Sequence, residues 1–84
     1  MNKQDVIEIL KENMIEIIPD LEEEEFSLDD SLVDIGLNSL DRGELIALTL
    51  EHLELEVSRI EFAGVDTINK LAEVFIEKYA AQQG

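Results

Sequence analysis

From Ile68 to Tyr79 the apolar residues Ile68, Leu71, Ala72, Phe75, Ile76 and Tyr79 return at i, i+3, i+4, i+7, i+8 and i+11. That period predicts an amphipathic helix over about Thr67–Ala80, and such a helix needs other apolar faces to cover it. Two further stripes supply them. In Lys3–Ile18, Val6, Ile7, Leu10, Met14, Ile17 and Ile18 fall within about 120° of one another, while Glu8, Lys11, Glu12 and Glu16 lie outside. Pro19 stops this helix. Between Ser39 and about Leu53, Leu45, Ile46, Thr49 and Leu53 form a core-facing row opposite Glu44, Glu51 and Glu54. Ser58-Arg59-Ile60-Glu61 is a Ser-x-x-Glu capping signature ahead of a single turn ended by Gly64. Leu53–Val57 alternates for five residues without a hairpin turn pair and is assigned to a helix end plus connection. The expected fold class is all-α: a four-helix bundle with three longer helices, one short third helix and a long loop between helices 1 and 2.

That loop, Pro19–Asn38, is too long for a compact domain unless it is tied down. Leu21, Phe26, Leu28, Leu32, Val33, Ile35 and Leu37 are repeated apolar anchors, so the segment is expected to wrap the bundle and to hold a turn or two of helix. The four carboxylates of Glu22–Glu25 read as a solvated stretch. With neither internal repeats nor a low-complexity linker, residues 1–84 are expected to form one domain.

Composition removes several classes of function. A chain of 84 residues buries one modest core and leaves little room for a deep catalytic pocket, so an independent enzyme is not expected. There is no cysteine, hence no disulfide framework, thiolate metal site or cysteine nucleophile. Six Lys+Arg against 21 Asp+Glu give a net charge of −15, which repels phosphate backbones and anionic headgroups; nucleic acid and membranes are poor partners, and a basic protein surface is a good one. Met1–Leu10 lacks the pattern of a secretory signal, and no apolar run approaches a membrane span, so a cytoplasmic domain is expected. A calcium loop of the EF-hand kind fails from Asp29, where Ser31, Val33 and Asp34 stand at the third, fifth and sixth positions; no metal site is expected.

The segment that carries chemistry is Asp34-Ile-Gly-Leu-Asn-Ser-Leu-Asp-Arg-Gly-Glu-Leu45. Asn38 is a suitable N-cap, and Asp41 can reach back to it, which places Ser39 at the first helical position with its hydroxyl at the surface. A phosphate on Ser39 would lie beside unpaired backbone amides and the positive end of the helix dipole. Gly36 allows a sharp turn just before. His52, 13 residues on and about 20 Å along the helix, is no base for Ser39. The plain alternative is an unmodified serine in a helix cap. Helix phase sets Leu40 near Glu44, Ala47 and Glu51 and away from the core row, so an apolar residue stands among carboxylates.

Residues 34–45 resemble the acyl carrier proteins, whose motif is an Asp, a Gly and then Asp-Ser-Leu at the head of the second helix. The Ser39-to-Tyr79 spacing, the capped segment at Ser58 and the closing helix extend the resemblance over most of the chain. It implies that Ser39 is the attachment point of 4′-phosphopantetheine, joined by a phosphopantetheinyl transferase from coenzyme A, and that the imported thiol carries acyl groups as thioesters. It further implies docking of partner enzymes with basic patches, such as a ketosynthase or an acyltransferase, on Leu40, Asp41, Arg42, Glu44, Ala47 and Glu51. A solvated face is the alternative. A monomer is expected.

Four positions depart from the fatty-acid type of carrier: Asn38 precedes the serine, Arg42 and Gly43 occupy the first turn, and Leu50 stands where an acid is frequent. They point to a free-standing carrier of a polyketide pathway. A narrower reading is a donor carrier in a β-branching cassette, prompted by Arg42-Gly43 and Glu61-Phe62-Ala63-Gly64. Fatty-acid, peptidyl and D-alanyl carriers share Ser39 and the fold; an acidic helical adaptor without a prosthetic group is the alternative of another class.

Overall fold

The computed structural model describes residues 1–83. Four α-helices follow one another: α1 (Lys3–Ile17), α2 (Leu32–Ile35), α3 (Ser39–His52) and α4 (Ile68–Gln83). Single 3₁₀ turns occupy Pro19–Glu23 and Arg59–Phe62. Among the described residues there is no β-strand, and none of the helices is long and apolar enough to cross a membrane.

Each helix begins where its sequence offers an acceptor to orphan amides. The Asn2 side chain accepts from the Asp5 amide at 2.9 Å while the Asp5 carboxylate accepts from the Asn2 amide at 3.1 Å, a reciprocal box that starts α1. Thr67 caps α4 by accepting from the Lys70 amide at 3.1 Å. At the far end of α3 the Leu55 amide reaches Leu50 O at 2.9 Å and the Glu54 amide reaches Glu51 O at 3.1 Å. This is a Schellman closure, formed with Glu54 at φ 55° where glycine is usual. It buries Leu50 together with Leu53 and Leu55, which explains the brief alternation after α3.

α1 packs on both α3 and α4. Val6, Leu10 and Met14 meet Leu45 and Ile46 of α3 and Leu71, Ala72 and Phe75 of α4 in one buried cluster. The 3₁₀ turn adds Phe62, whose ring lies 4.5 Å from that of Phe75, centroid to centroid, at a 39° tilt.

The long connection is tied down largely as its apolar residues require. Leu21, Leu32 and Leu37 are buried, and Phe26, Leu28 and Ile35 are packed at its edge. Val33 is the exception: it faces outward at 69% exposure, because on a one-turn helix Leu32 takes the inward position and its neighbour must point away. The connection is also stitched to the entry of α4. Ser31 and Thr67 form an isolated antiparallel bridge, the Leu32 amide donates to Asp66 O at 2.8 Å, and the Asn69 amide donates to Leu28 O at 3.1 Å.

The capping signature at Ser58 takes a different form from the one expected. Ser58 Oγ accepts from the Ile60 amide at 3.3 Å, and Glu61 turns away to the Lys78 ammonium at 2.8 Å. In the tighter 3₁₀ turn the third amide, that of Glu61, is already taken by Ser58 O at 3.1 Å, so the reciprocal box does not close.

Candidate functional site

Gly36, at φ 125°, ends α2 with its amide on Leu32 O and Val33 O, and the chain then turns through Leu37 into α3. A side chain is strained at that φ, which is the conformational reason for glycine two residues ahead of the cap. Asn38 then accepts from the Asp41 amide at 2.9 Å, and the Asp41 carboxylate accepts from the Asn38 amide at 3.2 Å. The box fixes the start of α3 and leaves Ser39 as its first residue.

Ser39 is exposed, and its hydroxyl makes no hydrogen bond among the described residues. Its neighbours in the first turn present backbone amides and the positive end of the helix. A phosphodiester on this oxygen fits: it would project into open space, beside donors rather than against a carboxylate bound to the same atom. Among the described residues no side chain is hydrogen-bonded to the hydroxyl to take its proton. His52 is exposed at the other end of α3, where with Asn13, Glu16, Leu48 and Glu51 it lines a shallow depression.

The outward face of α3 gathers the expected docking residues unevenly. Leu40 is 84% exposed, and Glu44, Ala47 and Glu51 follow it along one exposed row. Asp41 is half-buried by its role in the cap. Arg42 departs from that expectation. Its guanidinium turns inward from α3 to the next segment, donating from Nε to Val65 O at 3.0 Å and from Nη2 to Val65 O at 2.6 Å and to Phe62 O. It binds this protein's own carbonyls. A planar donor fork suits two carbonyl oxygens that come close together where the chain leaves the 3₁₀ turn, and Phe62 O accepts from the Val65 amide at 3.1 Å as well.

A signal for this was present in the sequence. A cation near the start of a helix opposes the dipole and therefore needs another acceptor nearby. Two exposed apolar residues had no comparable signal. Val33 on α2 and Ile60 in the 3₁₀ turn, the latter 75% exposed, lie on the segments that flank α3 in the chain. Gly43 has one neighbour: a Cβ built there would meet Arg59 Nη1 at 3.8 Å, an ordinary contact.

Residues 7–75 match the family described as the phosphopantetheine attachment site. The chain is 44% identical over 78 residues to the polyketide biosynthesis acyl-carrier-protein AcpK of Bacillus subtilis (strain 168), covering 93% of this chain and 95% of the relative. Among solved structures it resembles a chain in the crystal structure of the curacin biosynthetic pathway HMG synthase in complex with acetyl donor-ACP. That match has a TM-score of 0.87 at 40% identity and covers 93% of this chain and 100% of the other.

Proposed function

We propose, for a chain that belongs to the phosphopantetheine attachment family and is an acyl carrier protein, that Ser39 is the residue to which its 4′-phosphopantetheine is joined. The carrying observation is the exposed, unpartnered Ser39 hydroxyl at the first position of a capped helix. When attached, the prosthetic group supplies the thiol this cysteine-free chain lacks and holds acyl groups on it as thioesters. The protein is thus a carrier and not a catalyst. With no base hydrogen-bonded to Ser39 among the described residues, removal of its proton falls to a phosphopantetheinyl transferase acting with coenzyme A.

The proposed setting is polyketide biosynthesis, with residues 1–84 acting as one monomeric cytoplasmic carrier domain. Its role there would be to deliver an acetyl group as donor carrier to an HMG-synthase-type enzyme of a β-branching cassette. The likeness to the polyketide carrier of B. subtilis and to the donor-carrier complex supports this reading. Docking is proposed on Leu40, Asp41, Glu44, Ala47 and Glu51, with the exposed Val33 and Ile60 of the flanking segments as further apolar contacts. Carboxylates around an exposed leucine suit a partner whose basic rim surrounds an apolar spot, and their charge acts mainly on association rate and partner choice. Arg42 is proposed to support this surface from behind by fixing the segment that bears Ile60.

The test is intact-mass analysis after incubation with a broad transferase and coenzyme A. One phosphopantetheine should be added to the wild type and none to Ser39→Ala. Failure to load where a control carrier loads defeats the assignment. Acetyl transfer from the loaded protein to an HMG-synthase-type enzyme, compared with transfer to a fatty-acid ketosynthase, then decides the pathway.

A further inference from the structure

The chain has six basic residues against 21 acids. Lys3 pairs with Glu73 and Lys78 with Glu61, while Arg42 is held by backbone carbonyls. The side chains of Lys11, Arg59 and Lys70 make neither an ion pair nor a hydrogen bond among the described residues. Of these, Arg59 is the one placed beside Gly43. Its Nη1 lies 3.8 Å from the point a Cβ on Gly43 would occupy.

Gly43 stands four residues after Ser39, so the two positions share a face of α3 with about 5–6 Å between their Cβ sites. Together these distances set Arg59 Nη1 within about 10 Å of the Ser39 Cβ. An arginine side chain and a phosphodiester hanging from the serine oxygen together span that gap. Gly43 has no side chain to stand between them, although an alanine would fit. Packing therefore does not require the glycine, and a helix interior disfavours it by about 1 kcal/mol.

We infer that the Arg59 guanidinium, lying over Gly43 one helical turn from Ser39, pairs with the phosphodiester of the prosthetic group and holds the first part of the arm along α3. The inference rests on Ser39 as the attachment point. A phosphodiester is anionic at every pH the fold experiences, and on a surface of net charge −15 it needs a local cation. The Asp41 carboxylate, the nearest acid in sequence to Ser39, is turned to its own capping amide. Arg59 is thus a positioning residue for the arm. Being exposed, the pair is modest and is screened by salt.

The test uses the holo protein labelled with ¹⁵N in both chain and arm. Loading should shift the Arg59 Nε–H resonance, and the shift should vanish at about 1 M salt, where the Debye length is ~3 Å. In Arg59→Gln the ³¹P resonance should move and the arm amides should gain the mobility of the wild type at high salt; Arg59→Lys should restore part of the order. Gly43→Leu, which fills the gap with Arg59 intact, should loosen the arm in the same way. An Arg59 resonance indifferent to loading, or arm relaxation identical in the wild type and Arg59→Gln, overturns the inference. Intact mass separates the two levels. If Ser39→Ala still takes up the group, the attachment assignment fails; if loading is at Ser39 and Arg59 is silent, only the clamp fails.

Discussion

The side-chain amide of Asn13 donates to the hydroxyl of Thr49 at 3.0 Å across the interface of α1 and α3, with both residues buried. The Thr49 hydroxyl in turn donates to Leu45 O at 2.8 Å, so its proton and one lone pair are both engaged. Removing either partner has unequal effects. Thr49→Val leaves a buried amide donor without an acceptor and is expected to cost about 1–3 kcal/mol in a denaturant melt. Asn13→Leu keeps the Thr49 to Leu45 bond, and the double variant should lose less than the sum of the singles. Strict additivity would show that the two groups do not interact in solution.

Arg42 offers a second check on how α3 is held. Arg42→Met removes donors from the carbonyls of Phe62 and Val65 and should destabilise the fold by roughly 1.5–3 kcal/mol, the range for hydrogen bonds to a charged group. Arg42→Lys should recover only part, because an ammonium does not reproduce the fork. Amide shifts should spread over residues 59–65, while Ser39 should still accept the prosthetic group.

Gly43→Ala should raise stability by up to about 1 kcal/mol, since the new methyl meets only the end of the Arg59 side chain at contact distance. A drop in melting temperature would reveal a constraint at this position that the packing does not contain.

Between Glu12 and Asp41 the sequence has 11 acids and no base. Their mutual repulsion should be relieved by ions, so the melting temperature should climb with sodium chloride and more steeply with magnesium. A melting temperature flat across ionic strength would mean that these carboxylates are already too far apart to interact.

Lys78 titrates above its ordinary value of 10.5, chiefly through its hydrogen bond to Glu61, with the charges of Glu61 and Glu77 acting the same way and partial desolvation opposing them. A raised pKa in the folded state adds stability that is complete below about 10.5 and fades as pH rises through the folded value. Lys78→Gln should therefore melt below the wild type at pH 8, and the gap should narrow at strongly alkaline pH. A gap of constant size would assign the loss to packing.

Much of this was legible because it depends on local period. The stripe from Ile68 to Tyr79 needs only helical geometry to find its partners, and the cap at Asn38 needs only the amide three residues on. What stayed hidden depends on positions far apart in the chain. Val33 sits in an apolar run, and only the orientation of one helical turn decides that Leu32 is buried instead. Arg42, a cation near the start of a helix, signals a need for an acceptor, but which one emerges only when Phe62 and Val65 come beside it. Glu54 adopts a left-handed conformation with no glycine to announce it, because the buried pair Leu50 and Leu55 holds the turn closed.

The bridge between Ser31 and Thr67 has a kinetic consequence. It closes the intervening chain into a ring that contains the whole of α3 and the 3₁₀ turn, so the serine travels on a loop tied at its neck. Joining ends about 36 residues apart costs on the order of 3 kcal/mol of chain entropy before any contact within the ring compensates. The contact of Asn13 with Thr49 spans the same 36 residues, so loop entropy sets no order between the pairing of α1 with α3 and the closing of the neck. Once formed, it opens only when Leu32 and Asn69 also let go of their carbonyls, a slow step that amide exchange at those two residues would time.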